Sequence, residues 1–363
     1  MIRQVTKIST NLNQLHDAIV ECFSQLLQKD DFNEITFPAW FESVYKSTKI
    51  KSKLKEIHNE LDDICARIVF KGLIKIIEQN NRIEAISTRQ ICETYIDLDS
   101  LKIYYDDHID GFIDKVSEFY LGLYSNYVKK PKLEAHFKTS IRDYIKDFNK
   151  VNGRLCVFCG LENTKVIEGQ SRPPLDHWLP ESKFPFSAIN FDNLIPIGKD
   201  CNEKKGQRVV MDGRWTNWVW GYYPYKNVDG IKIELIFIKD PQKMDEVVYD
   251  NLKLDIGPNN VNDKEYFHSW LKLFNIKQRF DSYLIDDVID YWQEEYEALI
   301  ENPKYTLSHA ANQNELDDNL IEFSKSYPES REGNLIMNSW ISFIRINASD
   351  AFKNSLIKRF YNE

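Results

Sequence analysis

The chain has 363 residues, 42% of them hydrophobic and 28% charged, which excludes wholesale disorder and supplies material for about two domains. No apolar run approaches the roughly 18 residues of a membrane span, and the opening MIRQVTKISTNLNQL has no apolar stretch of the secretory kind, so a cytoplasmic protein without membrane contact is expected. The net charge of -9 argues against a nucleic-acid binder only until it is divided along the chain. Residues 1–150 carry 22 basic and 23 acidic side chains, residues 151–226 carry 10 and 8, and residues 227–363 carry 15 and 25. The middle block is the only positive one, and local charge decides contact with phosphate.

Residues 1–150 are predicted to be mainly helix. Leu54, Ile57, Leu61, Ile64 and Ile68 recur at spacings of three and four, the signature of one helical face packed on a core. Two heptads are too few for a coiled-coil dimer seam. Val116, Phe119, Tyr120 and Leu123 repeat the pattern. The texture changes near Val151: up to Tyr225 the chain shows short runs broken by Gly and Pro, which predicts a compact, loop-rich module over 151–226. Beyond it, Ile231 to Ile238 reads as a strand. Helical spacing returns at Phe267, Trp270, Leu271 and Phe274, and again at Phe280, Leu284, Val288 and Trp292. Residues 311–333 are polar and are expected to form a long loop or to be partly disordered; Leu335 to Tyr361 suggests helix again. The expected fold is therefore mainly α with a small central α+β module, in three parts: a helical region over 1–150, the module over 151–226, and a strand-containing, then helical, acidic region over 227–363.

The chemistry concentrates in the module. It reads CVFCG from Cys156, LDHWLPESKFP from Leu175, and DNLIPIGKDCNEKKG from Asp192. In Asp176-His177 a hard oxygen donor suited to Mg²⁺ or Mn²⁺ adjoins the one side chain that acts as a base near neutral pH. Phosphodiester hydrolysis needs both: a base for water and a cation for the charge that grows on phosphate and leaving oxygen. Asn202 offers a neutral oxygen ligand at the start of a predicted helix. Lys205 and Arg208 follow on it, and cations there favour phosphate. Cys156 and Cys159 form a CxxC pair that, without a secretory signal, reads as metal or redox chemistry.

The ordered series CxxC, DHxLP, NLxP and CNxxKG resembles the HNH family of ββα-metal nucleases, over about 50 residues from Cys156 to Gly206. The DHWLPESKFP wording is most similar to HNH proteins of bacterial defence islands, including Septu-type and retron-associated effectors. The resemblance implies strands near 175–179 and 193–197 and a helix starting near 201. It implies a metal-dependent endonuclease acting on DNA, in an anti-phage role, with an ATPase or other defence-system protein as partner. Residue by residue, it makes Asp176 and Asn202 the ligands of a Mg²⁺ or Mn²⁺ ion and His177 the general base. Asn193 would brace the loop between the strands and orient His177, and Lys205 and Arg208 would contact phosphate. Many relatives also hold a structural zinc on two CxxC pairs. Here the second pair is incomplete, since Gly198 stands where a cysteine would be; Cys156, Cys159 and Cys201 remain for a site that wants four ligands.

Two other readings stay open. The same cysteines could build a non-catalytic zinc knuckle for nucleic acid or protein, or the nuclease could cut RNA. The aromatic run Trp215, Trp218, Trp220, Tyr222, Tyr223 and Tyr225 could stack bases, though core packing is the commoner use of such a run. The acidic last third could mimic nucleic acid, or simply be a solvated surface.

Overall fold

Apolar side chains at helical spacing account for most of the architecture. The computed structural model describes residues 5–41, 49–87, 97–103, 105–169, 174–206, 208, 222–226, 230–305, 307–328 and 331–361. The fold is mainly helical, with two small two-stranded sheets among the described residues. The chain divides into two compact units, each assembled from separate stretches: residues 5–153 with 164–226, and residues 154–163 with 227–363. Among the described residues no helix is long and apolar enough to cross a membrane.

The first unit opens with α1 (Asn13–Gln28), which buries Leu15, Ile19, Phe23 and Leu26 along one face. Then come α2 (Ile50–Glu60) and α3 (Ile64–Asn80). The single face predicted from Leu54 to Ile68 is split between them. Leu54, Ile57 and Leu61 are buried, but Ile64 is 76% and Ile68 67% exposed. The cause is local: Asp63 takes an extended backbone and its carboxylate accepts the Cys65 and Ala66 amides, so a new helix starts and the apolar phase resets. The second helix instead buries Val69, Phe70, Leu73 and Ile77. α4 (Asp107–Gly122) is capped by Asp106 and runs on into a π-helical turn, Leu123–Tyr127. α5 (Pro131–Phe137) and α6 (Ile141–Asn152) follow, the latter opened by a reciprocal Ser140–Asp143 capping box. Phe23 sits at the centre of this core against Phe70, Phe119 and Tyr120.

On these helices rests a hairpin and a helix. β1 (Leu175–His177) pairs antiparallel with β2 (Leu194–Pro196), Asp176 opposite Ile195 and His177 opposite Leu194. α7 (Lys199–Lys205) follows directly. Leu175, Phe186, Ile189, Phe191 and Leu194 belong to the same apolar cluster as the helices, so the hairpin shares their core rather than forming one of its own.

The second unit begins with the Cys156–Cys159 turn. Its Leu155–Asn163 bridge closes a tight loop, with Gly160 in the left-handed region at φ 67°. β3 (Ile231–Phe237) and β4 (Leu252–Pro258) pair along their whole length. Among the described residues six α-helices complete the unit: α8 (Lys264–Leu273), α9 (Ile276–Tyr283), α10 (Asp290–Ile300), α11 (Gln313–Ser326), α12 (Asn334–Ser342) and α13 (Asp350–Tyr361). The loop expected over 311–333 is thus mostly a four-turn helix. Asn312 caps it, and Leu316, Leu320 and Phe323 give it a buried stripe that the surrounding charges mask in the sequence.

Candidate active site

Three elements of the first unit meet at one cleft of about 200 Å³: the end of β1, α7, and the π-helical turn after α4. Asp176, His177, Asn202 and Lys205 line it, with Tyr124 and Glu181. The structure therefore brings four of the singled-out residues together. Arg208 lies exposed just beyond α7, its amide bonded to the Lys205 carbonyl. Asn193 is buried outside the cleft lining.

His177 is buried, and its Nε2 lies 2.9 Å from the Ala188 carbonyl oxygen. A carbonyl can only accept, so Nε2 carries the proton and Nδ1 holds the free lone pair. The nearest carboxylate oxygen of Glu181 stands 3.6 Å from Nε2, too far for a competing hydrogen bond. The Tyr124 ring meets the imidazole edge-on at 4.5 Å between centroids. Burial pushes the His177 pKa down to about 4; the Ala188 carbonyl opposes that shift, and Lys205 and Lys129 add to it. The ring is neutral at physiological pH.

Asn193 acts on the loop that carries Ala188. Its Oδ1 accepts the Leu179 amide at 2.7 Å, and its Nδ2 donates to the carbonyls of Leu179 at 3.0 Å and Ser187 at 3.3 Å. Its own carbonyl accepts the Trp178 amide. One side chain thus ties the residues after His177 to the residue before Ala188.

Lys205 is 1% exposed. Its ammonium lies 3.0 Å and 3.2 Å from the two Asp176 carboxylate oxygens and 2.7 Å from the His177 carbonyl. A buried ammonium has to be compensated, and here both its partners are on β1. Lys205 therefore locks α7 to β1 and faces Asp176, not solvent. Glu181 adds a second carboxylate; burial raises its pKa, Lys129 opposes that, and Asp176 adds to it.

The donor set can be tested against a hard divalent cation. Asp176 supplies carboxylate oxygens and Asn202 an amide oxygen. A carboxylate offers about four lone-pair positions, so two contacts to Lys205 leave coordination capacity. Two protein oxygens suit an ion such as Mg²⁺, which keeps most of its waters. The residues fit the group.

A second group lies in the other unit. The ligand atoms of Cys156, Cys159 and Glu162 lie within 4.8 Å of one another and could hold a metal ion such as zinc. Backbone bonds from the Cys156 amide to the Glu162 carbonyl and from the Gly160 amide to the Cys156 carbonyl shape the turn, and the Leu161 amide points at the Cys159 sulfur at 3.4 Å. Arg279 reaches Glu162 at 3.0 Å and Cys159 at 3.6 Å. Cys201, the third cysteine of the sequence motif, is buried on the first turn of α7 in the first unit. Trp215, Trp218 and Trp220 fall outside the described residues. Tyr222 and Tyr223 are buried, and Trp178 Nε1 donates to the Tyr222 carbonyl.

Sequence reasoning did not single out Glu162, Glu181, Tyr124 or Lys129. The two glutamates could have been found from their spacing, Glu162 three residues after Cys159 and Glu181 four after His177. Tyr124 and Lys129 carry no local signal, since only the fold brings their helix to the hairpin.

No family model matches the chain, and no solved structure matches it. The chain is similar to the protein ea31 of Escherichia phage lambda, 34% identical over 92 residues. The match covers 23% of this chain and 28% of the phage protein, so the chain spans less than a third of that relative's length.

Proposed function

We propose that the cleft is the active site of a metal-dependent phosphodiester hydrolase of the HNH type acting on DNA. The observation that carries the reading is the tautomer of His177: Nε2 is committed to Ala188, and Nδ1 remains as a neutral base in the cleft that also holds Asp176 and Asn202. In the proposed step Nδ1 takes a proton from water as the water oxygen forms a bond to phosphorus. The bond from phosphorus to the leaving oxygen breaks. Asp176 and Asn202 would hold a Mg²⁺ or Mn²⁺ ion, whose charge would offset the negative charge developing on the phosphate and leaving oxygens. Lys205 holds the Asp176 carboxylate in its orientation, and Asn193 keeps Ala188 at hydrogen-bonding distance from the imidazole.

The test is incubation of the purified chain with plasmid DNA and with RNA, in Mg²⁺ or Mn²⁺ and in chelator. Cleavage of DNA that requires the cation is the expected result. No cleavage of either polymer under any of these conditions overturns the reading, and cleavage of RNA alone corrects the substrate. An anti-phage role and an ATPase partner are part of the same proposal and rest on the defence-type wording of the motif.

The Cys156, Cys159 and Glu162 group favours a structural role for a second metal, which we assign to zinc. Should zinc be present, DNA be bound without cleavage, and His177→Ala leave that binding unchanged, the chain would be a zinc-bearing binding module instead.

A further inference from the structure

A phosphate that enters this cleft meets Asp176 and Glu181, two carboxylates, and needs a cation that is not already committed. Lys205 cannot serve, because it is buried and its three close contacts are all to β1. The π-helical turn supplies a different one. Tyr124 on that turn lines the cleft and packs edge-on against His177. Its hydroxyl also reaches the Leu175 carbonyl at 3.5 Å, which ties the turn to β1. Directly after the turn, the Lys129 ammonium lies over the Tyr124 ring, 5.2 Å from its centroid.

We infer that Lys129 is the phosphate contact of the cleft, held over the site by the ring of Tyr124. This rests on the hydrolase reading above and extends it to substrate binding. Four observations carry it. Lys129 is exposed, so a backbone phosphate can reach it. It makes no ion pair among the described residues, so its charge is not neutralised. A cation over a tyrosine face is restrained without a counter-charge, which leaves the full positive charge for an anion. It lies over the ring of Tyr124, which lines the cleft, and its charge is felt at two other lining residues, His177 and Glu181. Lys130 and Lys132 extend the positive strip along the chain, with Lys130 over the Tyr127 ring at 5.0 Å. A π-helical turn re-aims side chains out of the helical register, and of the three among the described residues, the others being Leu284–Ile289 and Phe343–Asn347, this is the one that lines the cleft. Here the insertion turns the end of a core helix into the rim of the cleft.

The experiment uses the full chain carrying His177→Ala, Mg²⁺, and a fluorescein-labelled 20-base-pair DNA duplex, read by anisotropy across a salt series. Each phosphate contact contributes about 0.9 to the slope of log affinity against log salt. Adding Lys129→Gln should flatten the slope by about that amount and weaken binding several-fold at low salt. Lys129→Arg should restore the slope. Lys146→Gln, at an exposed position of α6, should leave it unchanged. An unchanged slope with Lys129→Gln, or an equal change with Lys146→Gln, overturns the inference. A labelled RNA duplex with the same Lys129-dependent slope supports the contact and assigns the phosphate to RNA. The two readings fail separately. DNA cleavage by the chain with a binding slope indifferent to Lys129 overturns the contact alone. A Lys129-dependent slope without cleavage by the unmutated chain supports the contact as a binding site and overturns the hydrolase.

Discussion

A single hydrogen bond sets the tautomer of His177, and burial sets its pKa. An exposed histidine is half protonated near pH 6.5, whereas burial pushes this one to about 4. The base form is then present through the whole neutral range, and a cleavage rate limited by this base should show its acid limb near pH 4. A limb near 6.5 in the pH–rate profile contradicts the buried, carbonyl-bonded ring. The same shift has a consequence for stability. His16 is also buried and is also pushed down to about 4, mainly by burial, with Asp192 opposing. Between pH 6.5 and 4 the unfolded chain binds protons that the folded chain refuses. Stability should therefore be full above about 6.5 and fall as pH drops through that window, by a few kcal/mol. Urea unfolding at pH 7 and pH 4.5 measures the difference, and His16→Gln should reduce it.

At the scale of elements, the site depends on two ties. Lys205 joins α7 to β1, and removing one partner of a buried ion pair leaves the other uncompensated. Lys205→Met should lower stability by about 3 kcal/mol, and adding Asp176→Asn should recover part of the loss. Thermal unfolding of the two variants checks this; a second substitution that deepens the loss by its full separate cost would contradict it. Asn193 ties the hairpin loop through three side-chain hydrogen bonds in a site closed to water. Asn193→Ala should cost about 2–3 kcal/mol, since buried backbone groups lose their partners.

The hairpin and helix were readable in the sequence because their residues are contiguous and of fixed chemical type: β1 and β2 formed inside the expected spans, and α7 began two residues before the expected start. The break at Asp63 was not, because apolar spacing alone does not register a capping carboxylate. The helix from Gln313 to Ser326 was masked by its charges, although three apolar positions mark its buried face. Gly333 shows a further limit. It sits at φ 68°, and a Cβ there would collide with the Tyr283 ring, a contact formed only by the tertiary fold. Gly333→Ala should destabilise the second unit by about 2 kcal/mol or more, through backbone strain and the displaced ring.

At the scale of the whole molecule, the cleft follows the fold and not the sequence order. The residues of the cleft come from a hairpin and the helix after it in the middle of the chain, and from a helix end far upstream; the hairpin and the upstream helix share one apolar core. The cleft is thus pre-formed by the packing of the first unit's own core. The cysteine group adds a separate expectation: the purified chain should carry about one zinc, and Cys156→Ser should release it and lower the melting temperature, both read by metal analysis and calorimetry. A metal content unaffected by that substitution would place the zinc elsewhere.

We propose that a neutral imidazole at position 177 draws the proton from the attacking water. The most direct measurement of this step is the single-turnover rate of DNA cleavage in saturating Mg²⁺ or Mn²⁺ for the unmutated chain and for His177→Ala at equal fold stability. General-base catalysis of this kind contributes 10²–10⁴-fold, so the variant should be slower by at least about a hundredfold. A variant that cuts at the unmutated rate would contradict the account.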